Sequence, residues 1–146
     1  MIALQYPDVT PKTRDGVSHK EVFDPVRKRW VRLSPEEWVR QQFILLLTTT
    51  HGYPLSLMAV EQSLLLGDLH QRADLLVYDR SQLPLMMVEC KAETVVLSQM
   101  VLDQILRYNM SIPVRYLLIT NGTQCMGWER DGLSMQALRK IPDFIV

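Results

Sequence analysis

The sequence has little cysteine and no arrangement of cysteine and histidine that is typical of a metal centre. Cys90 and Cys125 are the only cysteines among 146 residues, and they form no CxxC or Cys/His motif. Both lie in predicted strands, where isolated thiols are typical of buried, reduced residues in a cytoplasmic protein. A Cys/His metal site is therefore not expected.

The sequence also lacks an excess of charge of either sign, because sixteen Lys and Arg balance sixteen Asp and Glu. Modules dedicated to nucleic acids are often strongly basic, since phosphate contacts dominate their affinity. The neutral total argues against tight, autonomous DNA binding. A basic cluster nevertheless precedes the first predicted helix and consists of Arg27, Lys28, Arg29 and Arg32. This cluster is either a solvated surface run or a phosphate-contacting surface beside a functional site.

Long apolar runs and a secretory leader are missing as well. No apolar segment is long enough to cross a bilayer, so we expect a soluble, cytoplasmic protein without a membrane partner. No GxxxxGK[ST] motif occurs, so a nucleotide cofactor is not expected. Length and the 47% hydrophobic content predict a single domain over residues 20–146, preceded by a flexible arm over residues 1–19.

Helix and strand signals are clear in the remainder. Ser34 and Pro35 mark a helix start, and Glu37 completes a capping box, so a helix is predicted from there through Leu47. A second helix is predicted over residues 94–110, and residues 20–33 form a short extended element. Strands are predicted at residues 57–66, 72–78, 85–91, 114–120 and 123–129. The order α-β-β-β-α-β-β predicts an α/β (α+β) fold with a mixed four- to five-stranded sheet flanked by helices.

Three charged residues stand where a sheet core favours apolar ones. Side chains alternate along a strand, so Glu89 and Lys91 share one face, and Asp74 lies on the preceding strand. Together with the backbone carbonyl of Cys90, the two carboxylates predict a site for Mg²⁺, with Mn²⁺ as a substitute. The lysine would orient or deprotonate an attacking water, which suits hydrolysis of a phosphodiester. The alternative is an ion-pair cluster at a strand end.

The second predicted helix carries a polar residue on its apolar stripe. Gln104 shares this stripe with Leu97, Val101 and Tyr108, so it is predicted to face the sheet. A glutamine that faces a core needs a polar partner, and the carboxylates of the predicted site would provide one.

The pattern of Asp74, Glu89 and Lys91 resembles the PD-(D/E)xK nuclease superfamily, and Gln104-x-x-x-Tyr108 resembles the QxxxY motif of RecB-like nucleases. More narrowly, residues 20 to 143 resemble the N-terminal nuclease domain of type I restriction enzyme R subunits. The matching stretches are residues 33–41, 72–74, 88–92, 103–104, 108–109 and 120–122. The resemblance implies a restriction-endonuclease-like core, Mg²⁺ dependence and DNA cleavage.

Residue by residue, the resemblance implies that Asp74 and Glu89 are metal ligands, Lys91 is the catalytic lysine and Gln104 is an accessory polar residue. The first helix of this family often adds a glutamate. Glu37 is the candidate and Glu36 is the alternative, although Glu37 also fits a purely capping role.

Further DNA contacts are predicted at Arg72 and Tyr108, in addition to the basic cluster. Arg72 either binds phosphate or pairs with a carboxylate, and the pairing is the preferred interpretation.

Two functions follow from these observations. The first is a metal-dependent DNA nuclease that acts alone, as a homodimer or with a separate partner subunit. The alternative is a non-catalytic nuclease-fold protein that binds DNA or a protein partner, which the neutral charge favours. Since no P-loop is present, the ATP-driven translocation of type I R subunits is not expected.

Overall fold

The computed structural model of the chain describes residues 1–66, 69–109 and 112–145, without the side chains of residues 62–66 and 69–71. The described residues contain two α-helices and two β-sheets, which confirms the predicted α+β class. The three strands of the smaller sheet are β1 (Thr13–Asp15), β2 (Lys20–Asp24) and β3 (Arg29–Arg32). The six strands of the larger sheet are β4 (Met58–Leu66), β5 (Leu69–Tyr78), β6 (Pro84–Cys90), β7 (Tyr116–Thr120), β8 (Cys125–Asp131) and β9 (Ser134–Ala137).

The larger sheet is mixed, as predicted, and its strands follow chain order from β4 to β9. Strands β6 and β7 are parallel, whereas the other described neighbours are antiparallel. A parallel pair needs a crossover connection, and helix α2 (Gln99–Asn109) provides it. The predicted count of four to five strands was too low. The extra strand β9 is short and mostly exposed, so it carries no alternating apolar signal.

The single extended element predicted over residues 20–33 is a hairpin of two strands, β2 and β3. Lys28 in the turn has a φ of 57°, in the left-handed region. Lysine seldom adopts this conformation, so its presence does not predict a turn. Strand β1 pairs with β2 on the other side, so the hairpin becomes a three-stranded sheet.

Helix α1 (Pro35–Thr49) begins where the serine–proline signal predicts. The Ser34 hydroxyl accepts a hydrogen bond from Glu37 N at 3.1 Å, which satisfies one free amide of the first turn. One face of α1 is buried against the larger sheet, with Phe43, Ile44 and Leu47 fully enclosed. That core also takes in Val88 of β6, so α1 covers the face of the sheet that carries the even-numbered β6 residues.

Helix α2 covers the opposite face and begins five residues later than the predicted Thr94. Ser98 caps it, because its hydroxyl accepts from Val101 N at 3.3 Å and its carbonyl accepts from Leu102 N at 3.0 Å. The Asn121 side chain donates to the Val95 carbonyl at 2.8 Å and ties the preceding loop to the turn after β7. The predicted end of the helix at Met110 lies outside the described residues.

Residues 1–19, predicted as a flexible arm, make defined contacts with the rest of the chain. Ile2 is only 3% exposed, and its amide donates to the Cys125 carbonyl at 2.8 Å. The Tyr6 hydroxyl donates to the Gly122 carbonyl at 2.7 Å. The segment is therefore docked on the domain in this structure, and its flexibility stays a prediction.

Candidate active site

Strands β5 and β6 bring the three predicted catalytic residues to one end of the larger sheet. The pairing of Leu75 with Val88 puts Asp74 and Glu89 side by side. The Asp74 Oδ2 atom accepts a hydrogen bond from Cys90 N at 2.8 Å, which fixes this carboxylate against the next strand. Two carboxylates therefore stand at the carboxyl end of β6, at the point where the chain leaves the sheet.

Lys91 follows directly after β6 and completes the group. Its Nζ atom lies 3.6 Å from Glu89 Oε1, and its amide donates to the Thr120 carbonyl at 2.9 Å. The backbone bond holds the lysine in line with the parallel strand β7, so its side chain stays on the same face as Glu89. The alternation predicted from the sequence is thus present.

Glu89 titrates far from its usual range. Burial and the neighbouring charge of Asp74 raise the pKa of Glu89 to about 7, although Lys91 acts in the opposite direction. Burial and the Asp74 charge both disfavour a second negative charge beside Asp74. A cation placed between the two carboxylates would remove that penalty.

The donor set fits Mg²⁺ or Mn²⁺ better than a metal bound wholly by protein side chains. Within the described residues, no group of three or more His, Cys, Asp or Glu side chains is gathered that could hold a metal ion. Mg²⁺ usually binds one or two carboxylates and keeps several waters. The Cys90 side chain packs in the core on the α1 side of the sheet, the face opposite Glu89, so its sulfur does not point toward the two carboxylates.

Glu89 and Lys91 open into a cleft of about 500 Å³ between the sheet and α2. The cleft is also lined by Val95, Val101, Gln104, Ile105, Tyr108 and Asn109. The two residues of the QxxxY element therefore share one cavity with two of the three predicted catalytic residues.

The predicted burial of Gln104 was wrong. Gln104 is exposed and Tyr108 is 62% exposed, whereas Leu102 and Asn109 form the buried positions of α2. Val101 and Ile105 of the same helix pack against a core cluster that includes Ile119 of β7, whereas Gln104 and Tyr108 line the open cleft. Gln104 reaches the site from the rim, where water can satisfy its amide.

Glu37 is buried and does not act as the side chain of a capping box. Its backbone amide is capped by Ser34, but its carboxylate accepts from Arg27 at 2.7 Å, Arg40 at 3.0 Å and Gln41 at 3.1 Å. The capping-box prediction is thus correct for the serine and wrong for the glutamate. The alternative residue, Glu36, is exposed on the first turn of α1.

Arg40 links α1 to the site, and it was not among the residues predicted from the sequence. Its guanidinium donates to Glu37 and, through Nη1, to the Asp74 carbonyl at 3.1 Å. The i,i+3 spacing to Glu37 is the one available signal, since residues three apart meet on a helix face. Arg40 therefore connects Glu37 to the backbone of a predicted metal ligand.

Glu61 of β4 is a further charged residue beside this group. It lies beside Arg72, Arg40 and Arg27, and these three arginines lower its pKa against the effect of burial. The Glu61 carboxylate is therefore ionised at neutral pH. Its charge inside an apolar strand is the signal that marks it in the sequence.

The predicted basic cluster divides into two parts. Arg27 points inward, where it pairs with Asp24 and Glu37 and lies 3.9 Å from Glu61. The side chains of Lys28, Arg29 and Arg32 are exposed on the hairpin. Arg72 is paired with a carboxylate, Glu61, at 2.8 Å.

Comparison with known protein families gives a match over most of the chain. No described helix of the chain is long and apolar enough to cross a membrane. A search of curated proteins finds no match. The model of one family, described as the type I restriction enzyme R protein N terminus, matches residues 35–142. That stretch is most of the chain and includes both carboxylates, the lysine and α2. The chain therefore belongs to the family of type I restriction enzyme R protein N termini.

Proposed function

We propose that this domain is a metal-dependent DNA nuclease of the PD-(D/E)xK type that hydrolyses phosphodiester bonds. One observation carries the proposal: Asp74 adjoins Glu89 across two paired strands, and Lys91 lies 3.6 Å from Glu89. Membership in a restriction-enzyme family supports the choice of DNA as substrate.

Asp74 and Glu89 would hold the metal ion, with the backbone carbonyl of Cys90 as a third protein ligand. When bound, Mg²⁺ supplies Lewis-acid polarisation of a phosphoryl group and lowers the pKa of water. The raised pKa of Glu89, caused by burial and by Asp74, supports this assignment, because a bound cation favours the ionised carboxylate. Mn²⁺ would substitute for Mg²⁺ at such an oxygen site.

Lys91 and Gln104 would act on the reacting groups from the two sides of the cleft. The Lys91 ammonium is partly exposed, so it can orient the attacking water and stabilise negative charge as phosphorus becomes pentavalent. Gln104 on α2 would hydrogen-bond the substrate or the water from the rim. Glu37 would act indirectly, because its carboxylate contacts Arg40 and Arg40 contacts the Asp74 backbone.

The smaller sheet offers a basic surface for the DNA backbone. Residues 12–32 contain seven Lys or Arg and three Asp or Glu, although the whole chain is neutral. Arg14 lies over the Trp30 ring with 4.3 Å between the guanidinium carbon and the ring centroid. Such a surface would bind phosphates without reading sequence. Tyr108, largely exposed in the cleft, would contact the strand near the site.

Cleavage of plasmid and single-stranded DNA by the purified chain tests the proposal. We expect cleavage with Mg²⁺ or Mn²⁺, none with EDTA, and a loss of at least about a hundredfold in Lys91→Ala. Lys140→Ala, which removes a lysine after β9, should cleave like the wild type. Equal cleavage by Lys91→Ala and the wild type would contradict the proposal. DNA binding without cleavage, and without Mg²⁺ binding by calorimetry, would favour the non-catalytic alternative.

The family name places R proteins in a multi-subunit restriction enzyme, so we further propose that the domain works in the cytoplasm with a partner subunit or a second copy of itself. Light scattering of the purified chain distinguishes a homodimer from a monomer. A monomer that cleaves only in the presence of another subunit would support the partner arrangement.

A further inference from the structure

Glu61 is surrounded by three guanidinium groups. Its carboxylate lies 2.8 Å from Arg72 Nη2, 3.5 Å from Arg40 Nη2 and 3.9 Å from Arg27 Nη1. These arginines come from β5, α1 and the β2–β3 turn, so separate parts of the fold converge on one anion. Convergent arginines are the arrangement that proteins use to bind a phosphate, because the guanidinium fork matches its oxygens.

The backbone at Glu61 is also unusual. Its φ is 54°, in the left-handed region that non-glycine residues seldom adopt. The ladder of β4 and β5 pairs Val60 with Leu75 and Gln62 with Ala73, so Glu61 stands opposite Asp74 at a break in the ladder. The carboxylate at this irregular position lies next to Arg72 and Arg40, beside the candidate active site.

Arg27 and Arg40 have more ion-pair partners and are more deeply buried than Glu61 and Arg72. Arg27 and Arg40 are mostly buried and both bond Glu37, so they stay paired when Glu61 is removed. At the outer end, the side chain of Glu61 is 40% exposed and that of Arg72 is 64% exposed. Glu61 can therefore leave for solvent while the arginines remain in place.

We propose that Arg72, Arg40 and Arg27 form a binding site for a backbone phosphate of a nucleic acid, and that Glu61 occupies this site until the nucleic acid displaces it. Arg40 also donates to the Asp74 carbonyl at 3.1 Å, so an anion on Arg40 lies next to the candidate metal ligand. The exchange replaces one anion by another, and the arginines keep their compensation throughout. The choice of a nucleic acid over free phosphate rests on the proposed function.

Fluorescence anisotropy with a labelled DNA duplex in EDTA and low salt tests this site without cleavage. Glu61→Gln removes the internal competitor, and we expect it to bind DNA roughly tenfold more tightly than the wild type. Glu129→Gln is the matched control. Glu129 also pairs with an arginine, Arg115, at 2.9 Å, but at the opposite end of β7 and β8 from Glu89. This control should bind like the wild type.

Arg72→Gln gives a second readout in an exposed residue, where a folding defect is not expected. Loss of one phosphate contact should reduce the slope of log K against log salt by about one. An affinity of Glu61→Gln that equals that of the wild type, including no binding by either, would overturn the proposal. An equal gain in Glu129→Gln would also overturn it, because the cause would then be net charge alone.

Inorganic phosphate at constant ionic strength separates the two sources of the ligand. If phosphate stabilises Glu61→Gln against thermal unfolding while its DNA affinity is unchanged, the site takes free phosphate and the nucleic-acid proposal fails. Cleavage is not read in these experiments. A protein that never cleaves but shows the Glu61→Gln effect refutes the proposed nuclease alone, and a nuclease without the effect refutes this inference alone.

Discussion

At the residue scale, Glu89 shows how a site can oppose the stability of the fold that carries it. Its carboxylate is largely buried next to Asp74, and both causes raise its pKa to about 7. In the unfolded chain the same group would titrate near 4.5. Folding therefore works against ionisation of Glu89.

Glu89→Gln should stabilise the metal-free domain at alkaline pH. A raised pKa in the folded state means that the wild type is most stable below the unfolded pKa and loses this contribution as pH rises through about 7. We expect the variant to gain about 2 kcal/mol in free energy of unfolding at pH 8 and little near pH 4. Urea denaturation in EDTA measures both. A variant less stable than the wild type at pH 8 would contradict this account.

Arg40→Ala should be strongly destabilising. The arginine side chain is 8% exposed and pairs with Glu37, so its removal leaves the buried Glu37 carboxylate with Arg27 as its remaining arginine partner. We expect a loss of about 3 kcal/mol in free energy of unfolding. Arg115→Ala, which breaks an exposed pair with Glu129, should cost about 0.5 kcal/mol or less. Denaturation midpoints within error of each other for these two variants would argue against a structural role for Arg40.

The residues of the site differed in how far the sequence could reveal them. Asp74, Glu89 and Lys91 were predicted from charge within apolar strands, and the structure brings them together. The contacts of Arg40 and Glu61 were not predicted, because they depend on how α1 and β4 pack around β5. The alternation of side chains along one strand can be predicted from the local sequence. Ion pairs between separate elements depend on the tertiary structure and cannot.

At the element scale, the two helices illustrate which boundaries a sequence can define. Helix α1 starts at the predicted residue because Ser34 and Pro35 combine a side-chain cap with a preset backbone angle. The start of α2 was predicted too early, because the apolar spacing that includes Leu97 continues ahead of the actual cap at Ser98. The apolar periodicity thus identified α2, but the position of its first turn depends on the Ser98 cap.

Ser34→Ala tests the contribution of the α1 cap. The substitution removes the acceptor of the Glu37 amide, so we expect a loss of about 1 kcal/mol in stability. Hydrogen exchange should show the first turn of α1 opening more often than in the wild type. Ser18→Ala, in an exposed loop of the smaller sheet, serves as control and should leave both quantities unchanged. Unaltered exchange in Ser34→Ala would mean that packing alone holds the helix end.

At the scale of the whole molecule, the N-terminal segment closes one side of the main core. Ile2 packs among the buried residues that α1 and the larger sheet share, and Gly127 lets it approach β8. Residues 1–19 contain prolines, a glycine and scattered charges and show no helix or strand period, so the sequence predicted a flexible arm. Burial of Ile2 depends on the groove formed by the rest of the fold.

Ile2→Ala measures how firmly this segment is docked. If Ile2 contributes as a core residue, the free energy of unfolding should fall by about 2 kcal/mol. Val17→Ala, at a fully exposed loop position, should change it by less than about 0.5 kcal/mol. Chemical denaturation of both variants decides the matter. A neutral Ile2→Ala would restore the interpretation of residues 1–19 as a flexible arm.

The parallel pairing of β6 with β7 has a consequence for the order of folding. Strands β4, β5 and β6 are joined by short connections, so they can pair as local hairpins. Strands β6 and β7 can pair only when the segment between them, which contains α2, closes a long loop. Non-local pairings of this kind form slowly. We therefore expect Asp74 and Glu89 to meet early in folding, before the cleft beside Glu89 exists. Folding intermediates would then hold both carboxylates in water until α2 docks.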